Sequence, residues 1–380
     1  MDESNTRRIV ILGKTGAGKS SLANTIFGEK LFETNFTLNS ETRECQAQTR
    51  SVNGRRINLI DTPGFFDTDR PEEDMKAAIL RCITECAPGP HAFLIVLKVE
   101  KFTEHEKAVI EKIRHYFSDE ALKYAVVVFT HGDQLLEGMK IEEFVNQNKA
   151  MKDLVKKCGN RCHVFDNRYW KENLNDKYRS NQFQVEELLK TIDKMILANK
   201  GSCYTNEMLQ AVQEEIRREE KMIRKSSGNM SEEEIRKRAK HSAFEKFWIR
   251  AAGVTTGALI GALCGVAVMV GLVYTVLKIS AEAEHLKQAI KMTVGAAGGA
   301  AGEAAAGGAA AGGAGTAGTA LRVTTGVVAA VGAVAGGFRG YRAAEEADTP
   351  WEAVKMAAGA VKDDAMSFYD NTTGFLKKVL

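Results

Sequence analysis

The chain has 380 residues, too many for one ordinary domain, so two or more regions are expected. Its net charge of +3 is close to balance and argues against a dedicated nucleic-acid-binding protein. Seven cysteines without a Cys-x-x-Cys pair indicate reduced thiols in a cytoplasmic protein, rather than disulfides or a metal site.

The amino-terminal residues carry the strongest local signal. The polar start MDESNTRR predicts no signal peptide. An apolar run, Ile9–Leu12, then leads into GKTGAGKSS, which fits the phosphate-binding loop pattern G-x-x-x-x-G-K-[ST]. In such a loop the backbone N–H groups curl around phosphates, and the dipole of the following helix adds positive potential. The residues predicted to bind nucleotide here are Gly13, Thr15, Gly16, Ala17, Gly18, Lys19, Ser20 and Ser21.

Two side chains of this loop have expected roles. We expect Lys19 to reach the β- and γ-phosphates, and the hydroxyl of Ser20 to bind Mg²⁺.

Short β-rich runs alternate with amphipathic helical stretches from residue 8 to about residue 200. This alternation predicts an α/β fold with a mostly parallel sheet and helices on both faces. Ligands of such sheets bind at the carboxyl ends of the strands. The predicted strands are Ile9–Leu12, Ile57–Ile60, Phe93–Leu97, Ala125–Phe129 and His163–Phe165.

A second phosphate-side element follows the strand Ile57–Ile60. Asp61-Thr62-Pro63-Gly64 fits the D-x-x-G element of GTPases. Asp61 is expected to hold Mg²⁺ through a water molecule, and the N–H of Gly64 to sense the γ-phosphate. The same four residues would also suit a plain turn, but their distance from the phosphate loop favours the nucleotide site.

The base-recognition element is predicted after the strand Ala125–Phe129. Most GTPases have N-K-x-D at this place, whereas this chain has Thr130-His131-Gly132-Asp133. A carboxylate at Asp133 accepts two hydrogen bonds from guanine, and adenine lacks that pair of donors. Thr130 is expected to bond the loop and His131 to stack on the base.

Three further blocks make the resemblance specific. They are FGEKLFETNFTLNSETRECQ (27–46), PGPHAFLIVLKVEKFTEHE (88–106) and RCHVFDNR (161–168). With the phosphate loop, they resemble the GTPases of immunity-associated proteins, the IMAP family, in the septin and Toc-like branch of P-loop GTPases. The resemblance covers roughly residues 8–200.

The resemblance implies roles that spacing alone does not give. It places Thr42 at the switch threonine that binds Mg²⁺ when GTP is bound, where spacing alone leaves Thr34, Thr37 and Thr42 open. It also matches Asn167 to a residue that contacts guanine, while Asp166 stands where the family often has another Asn. The implied cofactors are GTP or GDP and Mg²⁺, with Ser20, Thr42 and Asp61 (through water) at the metal.

The residue after D-x-x-G bears on hydrolysis. A fast hydrolase positions its attacking water with a Gln at this place, but this chain has Phe65 and Phe66. We therefore expect slow GTP hydrolysis in the monomer. A second copy, or a related GTPase, is the expected partner, since the resemblance implies nucleotide-dependent dimerisation. The candidates for a group supplied across that contact are Arg43, Arg70, His91 and His105.

The carboxyl-terminal half changes character twice. QEEIRREEKMIRK and SEEEIRKRAKH predict two charged helices within 205–250, with Ser231 and Glu234 resembling a capping box. These helices are interpreted as a solvated surface, as packing back on the first domain, or as membrane contact. The basic residues expected to face an anionic leaflet are Arg236, Lys237, Arg238, Lys240, Lys246 and Arg250.

An uncharged run, 251–277, follows and is long enough to span a bilayer as a helix. Gly253, Gly257, Gly261 and Gly265 would form a stripe that permits close helix packing. The alternative is a buried helix of a soluble domain. The Gly/Ala tract 295–320 is either disordered or a glycine-striped helix, and a hairpin of 251–277 with 304–338 is also open.

The predicted organisation has four parts: a GTPase domain (1–204), a charged helical extension (205–250), a membrane-associating Gly/Ala-rich region (251–338) and a polar tail (339–380). The predicted function is a slow GTPase switch that dimerises with GTP and is anchored to an intracellular membrane. The predicted partners are a second copy and membrane lipids, with no nucleic acid. The alternatives are a GTP-binding membrane scaffold without hydrolysis, and a membrane-perturbing protein regulated by its GTPase domain.

Overall fold

A computed structural model describes residues 6–34, 44–65, 72–170, 176–226, 230–251 and 254–278. The chain divides into two units. The first comprises Met1–Trp248 with Thr256–Val273 and holds the sheet. The second comprises Ile249–Thr255 with Tyr274–Leu380, and most of it lies outside the described residues.

A six-stranded sheet organises the first unit, in the order β2-β3-β1-β4-β5-β6. All neighbouring pairs are parallel except β2 with β3. The prediction of a mostly parallel sheet is therefore confirmed. The strands are β1 (Arg7–Gly13), β2 (Gln46–Val52), β3 (Arg55–Asp61), β4 (Ala92–Lys98), β5 (Ala125–Thr130) and β6 (Cys162–Val164).

Strand β2 is absent from the sequence prediction. Its sequence, QAQTRSV, has no apolar run, and its side chains are half-buried or exposed. The strand forms because its backbone pairs with β3 across a tight turn at Asn53 and Gly54. An edge strand of this kind needs only one paired side, so it tolerates polar residues.

The helices cover both faces of the sheet. Ile9 and Ile11 of β1 pack in one core cluster with Leu22 and Leu188. Phe93 of β4 lies outside that cluster and contacts Phe117 edge to face. The helices of the α/β region are α1 (Lys19–Phe27), α2 (Glu72–Cys86), α3 (Glu104–Tyr116), α4 (Asp119–Leu122), α5 (Ile141–Asn146), α6 (Lys149–Lys157) and α7 (Asn181–Ala198).

The two predicted charged helices are present as α8 (Glu207–Ser226) and α9 (Glu232–Arg250). The hydroxyl of Ser231 accepts from the N–H of Glu234, as a helix cap does. Helix α8 packs against α2, so the charged extension returns to the sheet domain.

Part of the predicted basic cluster is ion-paired within the first unit. Lys246 contacts Glu215 at 2.8 Å and also bonds Glu219, while Lys240 contacts Glu85 of α2 at 2.8 Å. These ammonium groups are compensated by carboxylates, so they add little to an open basic surface for a membrane.

The uncharged run 251–277 does not form one continuous helix in the described residues. It contains α10 (Thr256–Leu263) and all of α11 (Ala267–Lys278) except Lys278, and the two helices are bent by 112° at the break between them. Within the described part of the chain, no single helix has the length and apolar composition to cross a membrane; by those two measures the bent pair qualifies.

Gly265 explains the break. Its φ of +84° is in the left-handed region, where a β-carbon causes strain. A β-carbon there would also stand 2.2 Å from the hydroxyl oxygen of Tyr204. The freed carbonyls find partners, since Asn206 Nδ2 donates to Ala262 O (2.8 Å) and Ser118 N donates to Cys264 O (3.0 Å). The helix therefore ends in satisfied hydrogen bonds, as a buried terminus must.

Helix α10 is buried against α2, α3 and α8. Leu259 and Leu263 have no exposed surface. Gly257 faces the ring of Tyr116, and Gly261 faces the side chain of Met269. Of the predicted glycine stripe, Gly257 and Gly261 lie on α10 and permit the close approach of these bulky side chains. Gly265 lies at the break after the helix, and Gly253 lies outside the described residues.

Leu259→Ala should lower the free energy of unfolding by about 2–4 kcal/mol, because it leaves a cavity between α10 and the sheet domain. Val268→Ala is the matched control, since Val268 is 79% exposed and its truncation should change stability by less than about 0.5 kcal/mol. Urea unfolding of the full chain measures both values. Equal effects of the two substitutions would contradict the packing of α10.

Candidate functional site

The phosphate loop joins the end of β1 to the start of α1. Gly18 precedes α1 in a left-handed conformation, and the helix begins at Lys19. The ammonium of Lys19 is buried and donates to Lys14 O at 2.9 Å, so its charge lies over the loop. The start of α1 and Lys19 together give this edge of the sheet a positive potential suited to phosphate groups.

A hydroxyl and a carboxylate meet beside this loop. Ser20 Oγ donates to Asp61 Oδ2 at 2.5 Å, joining α1 to the end of β3. Asp61 is 1% exposed, and its Oδ1 has no hydrogen-bond partner among the described residues. Burial raises the pKa of the Asp61 carboxyl, and the ammonium of Lys19 opposes that change.

These atoms fit a hard divalent cation. Mg²⁺ prefers oxygen ligands and keeps several waters. The unpartnered oxygen of Asp61 is suited to accept from a metal-bound water, and the hydroxyl of Ser20 is an oxygen ligand. The third predicted metal residue, Thr42, lies outside the described residues.

The segment after β3 is fixed to β1. The hydroxyl of Thr62 donates to Ile11 O at 2.6 Å, which holds the D-T-P-G segment beside the phosphate loop. Gly64 is buried, and Phe65 is 3% exposed. The phenyl ring of Phe65 therefore packs inward, and it supplies no group that orients water.

Thr130 connects the base loop to the phosphate loop. Its hydroxyl lies 2.8 Å from Ala17 O and 3.2 Å from Leu97 O. The expectation that Thr130 bonds the loop is confirmed. His131 follows with a φ of 59° and an exposed side chain, and its Nδ1 lies 3.1 Å from the hydroxyl of Thr130. That contact uses the edge of the imidazole ring, so stacking of the ring on a base stays a prediction.

Asp133 lies in a short 3-10 turn, Gly132–Gln134, directly after β5. Gln134 Nε2 donates to Asp133 Oδ2 at 2.6 Å. Burial and the neighbouring Asp166 raise the pKa of the Asp133 carboxyl. When two carboxyl groups lie side by side, ionisation is disfavoured in the group that accepts fewer hydrogen bonds from the protein.

Asn167 lies between the base loop and the phosphate loop. Its Oδ1 accepts from the hydroxyl of Thr25 at 3.0 Å, and its Nδ2 donates to Gly18 O at 3.4 Å. The third sequence block therefore meets the phosphate loop in space, although about 150 residues separate Gly18 from Asn167.

Not every candidate for a trans-acting group lies near this edge. His91 Nδ1 accepts from Arg8 N at 3.0 Å, at the amino ends of β1 and β4. Since ligands bind at the carboxyl edge, His91 lies at the end of the sheet opposite to the phosphate loop of its own chain. Arg43 and Arg70 lie outside the described residues, as does the side chain of His105.

An ion-pair network beside the phosphate loop is absent from the sequence prediction. Lys14 Nζ contacts Glu106 at 2.7 Å and Glu100 at 3.1 Å. Partial burial alone would raise the pKa of Glu106, but hydrogen bonds from Lys14 and Thr103 lower it to about 2. The sequence gives one indication of this network, which is that Glu100 and Glu106 both belong to the block 88–106 that resembles the family.

The site thus unites a phosphate loop, a buried aspartate and a base loop at one edge of the sheet. The profile of the AIG1 family matches residues 7–224, more than half of the chain. The chain belongs to the AIG1 family. The resemblance inferred from the three sequence blocks is confirmed.

Several relatives align with this AIG1 domain. Immune-associated nucleotide-binding protein 8 of Arabidopsis thaliana is 36% identical over 220 residues, covering 56% of this chain and 60% of the relative. Immune-associated nucleotide-binding protein 9 of Arabidopsis thaliana is 33% identical over 217 residues, covering 56% of this chain and 62% of the relative. GTPase IMAP family member 8 of Rattus norvegicus is 32% identical over 202 residues, covering 53% of this chain and 28% of the relative. The chain thus spans less than two thirds of the length of these relatives.

Among solved structures, Toc33 from Arabidopsis thaliana in complex with Mg²⁺ and GMPPNP is similar in fold. It is 21% identical with a TM-score of 0.40, and the match covers 51% of this chain and 85% of Toc33.

The selectivity for guanine should weaken as the pH falls. Guanine offers donors, so the Asp133 carboxylate must be ionised to bind it, and its raised pKa brings protonation to a higher pH than for an ordinary Asp. The ratio of GDP to ADP affinity, measured by competition against a fluorescent GDP analogue, should fall as the pH is lowered from neutral, and it should begin to fall at a higher pH than an ordinary Asp would give.

Using a ratio cancels the titration of the phosphates, which both nucleotides share. Asp133→Asn removes the titrating group and should give a ratio that stays flat with pH. A wild-type ratio that also stays flat would contradict the role of Asp133.

Proposed function

We propose that this chain is a guanine-nucleotide switch that binds GTP and GDP with Mg²⁺, hydrolyses GTP slowly and self-associates in the GTP state. The observation that carries the proposal is the meeting of three elements at one sheet edge. Lys19 lies over the phosphate loop, Ser20 contacts Asp61, and Thr130 joins the base loop to Ala17. The names of the relatives, nucleotide-binding proteins and a GTPase, agree with it.

Each element has a distinct task in this proposal. Lys19 and the start of α1 bind the β- and γ-phosphates, while Asp133 accepts from guanine. Ser20, Asp61 and Thr42 hold Mg²⁺, which when bound neutralises charge on the phosphate oxygens. The N–H of Gly64 senses the γ-phosphate. The hydrogen bond from Thr62 to Ile11 O ties the segment that carries Gly64 to β1.

Slow hydrolysis follows from Phe65. A buried phenyl ring occupies the place where a fast hydrolase has a water-positioning amide. A second copy facing the nucleotide supplies the missing group in this proposal. The same observation favours the alternative, a nucleotide-binding scaffold that does not hydrolyse GTP.

The turnover of GTP per molecule should therefore rise with protein concentration. Phosphate release by the full chain, measured over a hundredfold range of concentration, distinguishes the possibilities. A rate per molecule that is high and constant would show that one chain is catalytically complete. No release at any concentration would favour the scaffold.

We further propose that the carboxyl-terminal region anchors the protein to an intracellular membrane. The support is the uncharged run 251–277 and the bent pair α10–α11. Because α10 is buried against α2 and α3, insertion of this pair requires that α10 leave that site.

Val268→Asp tests this anchoring without disturbing the packed α10, because Val268 is exposed. An acidic residue at the centre of an inserted helix costs about 2.5–3.5 kcal/mol, so the fraction that floats with phosphatidylcholine/phosphatidylserine vesicles should fall at least tenfold. Leu197→Asp, an equally exposed apolar residue on α7, is the control and should float like the wild type. Unchanged flotation of Val268→Asp, or no flotation of the wild type, would contradict anchoring by this segment.

A further inference from the structure

The loop that carries Asp133 is held by the segment after β6. Gly132 N donates to Phe165 O at 3.0 Å, and Asp133 N donates to Asp166 Oδ2 at 3.3 Å. Two successive N–H groups of the base loop thus bind to two successive residues of the other segment. The position of Asp133 depends on where that segment lies.

The carboxylate of Asp166 accepts hydrogen bonds on both of its oxygens. Oδ2 faces Asp133 N, while Oδ1 accepts from Arg168 N at 2.8 Å and from Tyr169 N. Asp166 is 2% exposed, so water does not replace these donors. One side chain therefore folds its own turn and holds the base loop at the same time.

The backbone of Asp166 is fixed from behind by α7. Asn181, the first residue of α7, donates from Nδ2 to Asp166 O at 2.5 Å, and its Oδ1 accepts from Asp166 N at 3.2 Å. Asn181 is also buried. This pair of bonds joins the segment to a helix of the sheet domain and leaves Asp166 little freedom to shift.

A ring contact closes the assembly. Trp170 is buried against Gly132, and a β-carbon at Gly132 would stand 2.6 Å from the indole ring. The guanidinium of Arg179 lies 5.8 Å from the centre of the same ring. The Gly of Thr130-His131-Gly132-Asp133 is therefore required by the close approach of Trp170.

We propose that Asp166 is a positioning residue for guanine selectivity, which holds the backbone of Asp133 so that its carboxylate faces the base. The inference rests on the proposed function, since it concerns guanine binding. An Asn at this position has one acceptor oxygen, so it can serve the turn at Arg168 and Tyr169 or the N–H of Asp133, but not both. The carboxylate serves both, and it orders the base loop before nucleotide arrives.

Asp166→Asn tests the proposal with a side chain of the same size. The affinity for GDP should fall about tenfold, the effect of one lost charge-assisted hydrogen bond, while the affinity for ADP stays unchanged. Competition against a fluorescent GDP analogue measures both in the full chain. The ratio is taken within one folded preparation, so a reduced folded fraction does not mimic the effect.

A double-mutant cycle ties the effect to Asp133. In an Asp133→Ala background, Asp166→Asn should change GDP affinity less than twofold, because the group that it positions is absent. Glu137→Gln removes the same charge from an exposed residue four positions after Asp133 and should leave the ratio unchanged. If Asp166→Asn does not fold, Asn181→Ala is the second variant, because it frees the backbone of Asp166 and keeps its charge. It should also lower the ratio of GDP affinity to ADP affinity.

The outcomes separate this inference from the proposed function. A wild type that binds GDP and ADP equally would overturn the proposed function. A wild type that prefers GDP, together with an Asp166→Asn variant that keeps the full preference, would overturn the inference alone. Equal losses for GDP and ADP, or an effect that persists in Asp133→Ala, would reduce Asp166 to a purely structural role and also overturn it.

Discussion

The parallel pairing of β1 with β3 and β4 is the constraint on which the site depends. It sets Ile11 opposite Asp61 and Gly13 opposite Val96, so the loops that follow these strands leave the sheet at one edge. Strand β5 pairs with β4 in the same direction and brings Thr130 to that edge. The hydroxyl of Thr130 then joins the phosphate loop at Ala17, so three distant stretches of sequence form one connected surface.

Local chemistry made part of this surface predictable. A phosphate loop is encoded in eight consecutive residues, and the strands beneath it are apolar because both faces of the sheet are covered. Strand β2 escaped prediction because an edge strand tolerates polar side chains. The support of Asp133 by Asp166 and Trp170 escaped too, since it arises only when β6 pairs with β5. Composition likewise gives the same signal for a membrane segment and for a helix buried like α10.

Helix α2 is where the nucleotide edge and the carboxyl-terminal helices meet. The chain reaches α2 shortly after Asp61, Gly64 and Phe65, the segment proposed to sense the γ-phosphate. The same helix contacts α8 and α10, and it is bound to α9 through Glu85 with Lys240 and through Arg81 over the ring of Phe244. A shift of α2 therefore disturbs contacts with three helices at once. Two of them, α9 and α10, lie beyond the residues matched by the family profile.

Covalent connection makes α10 a strong competitor for the face that it covers. A segment tethered to its own binding surface acts at an effective concentration on the order of millimolar. A separate protein present at micromolar concentration would need an affinity about a thousandfold higher, or about 4 kcal/mol, to displace it. The face of α2 beneath α10 is thus covered, and a partner that binds there must outcompete a segment of the same chain.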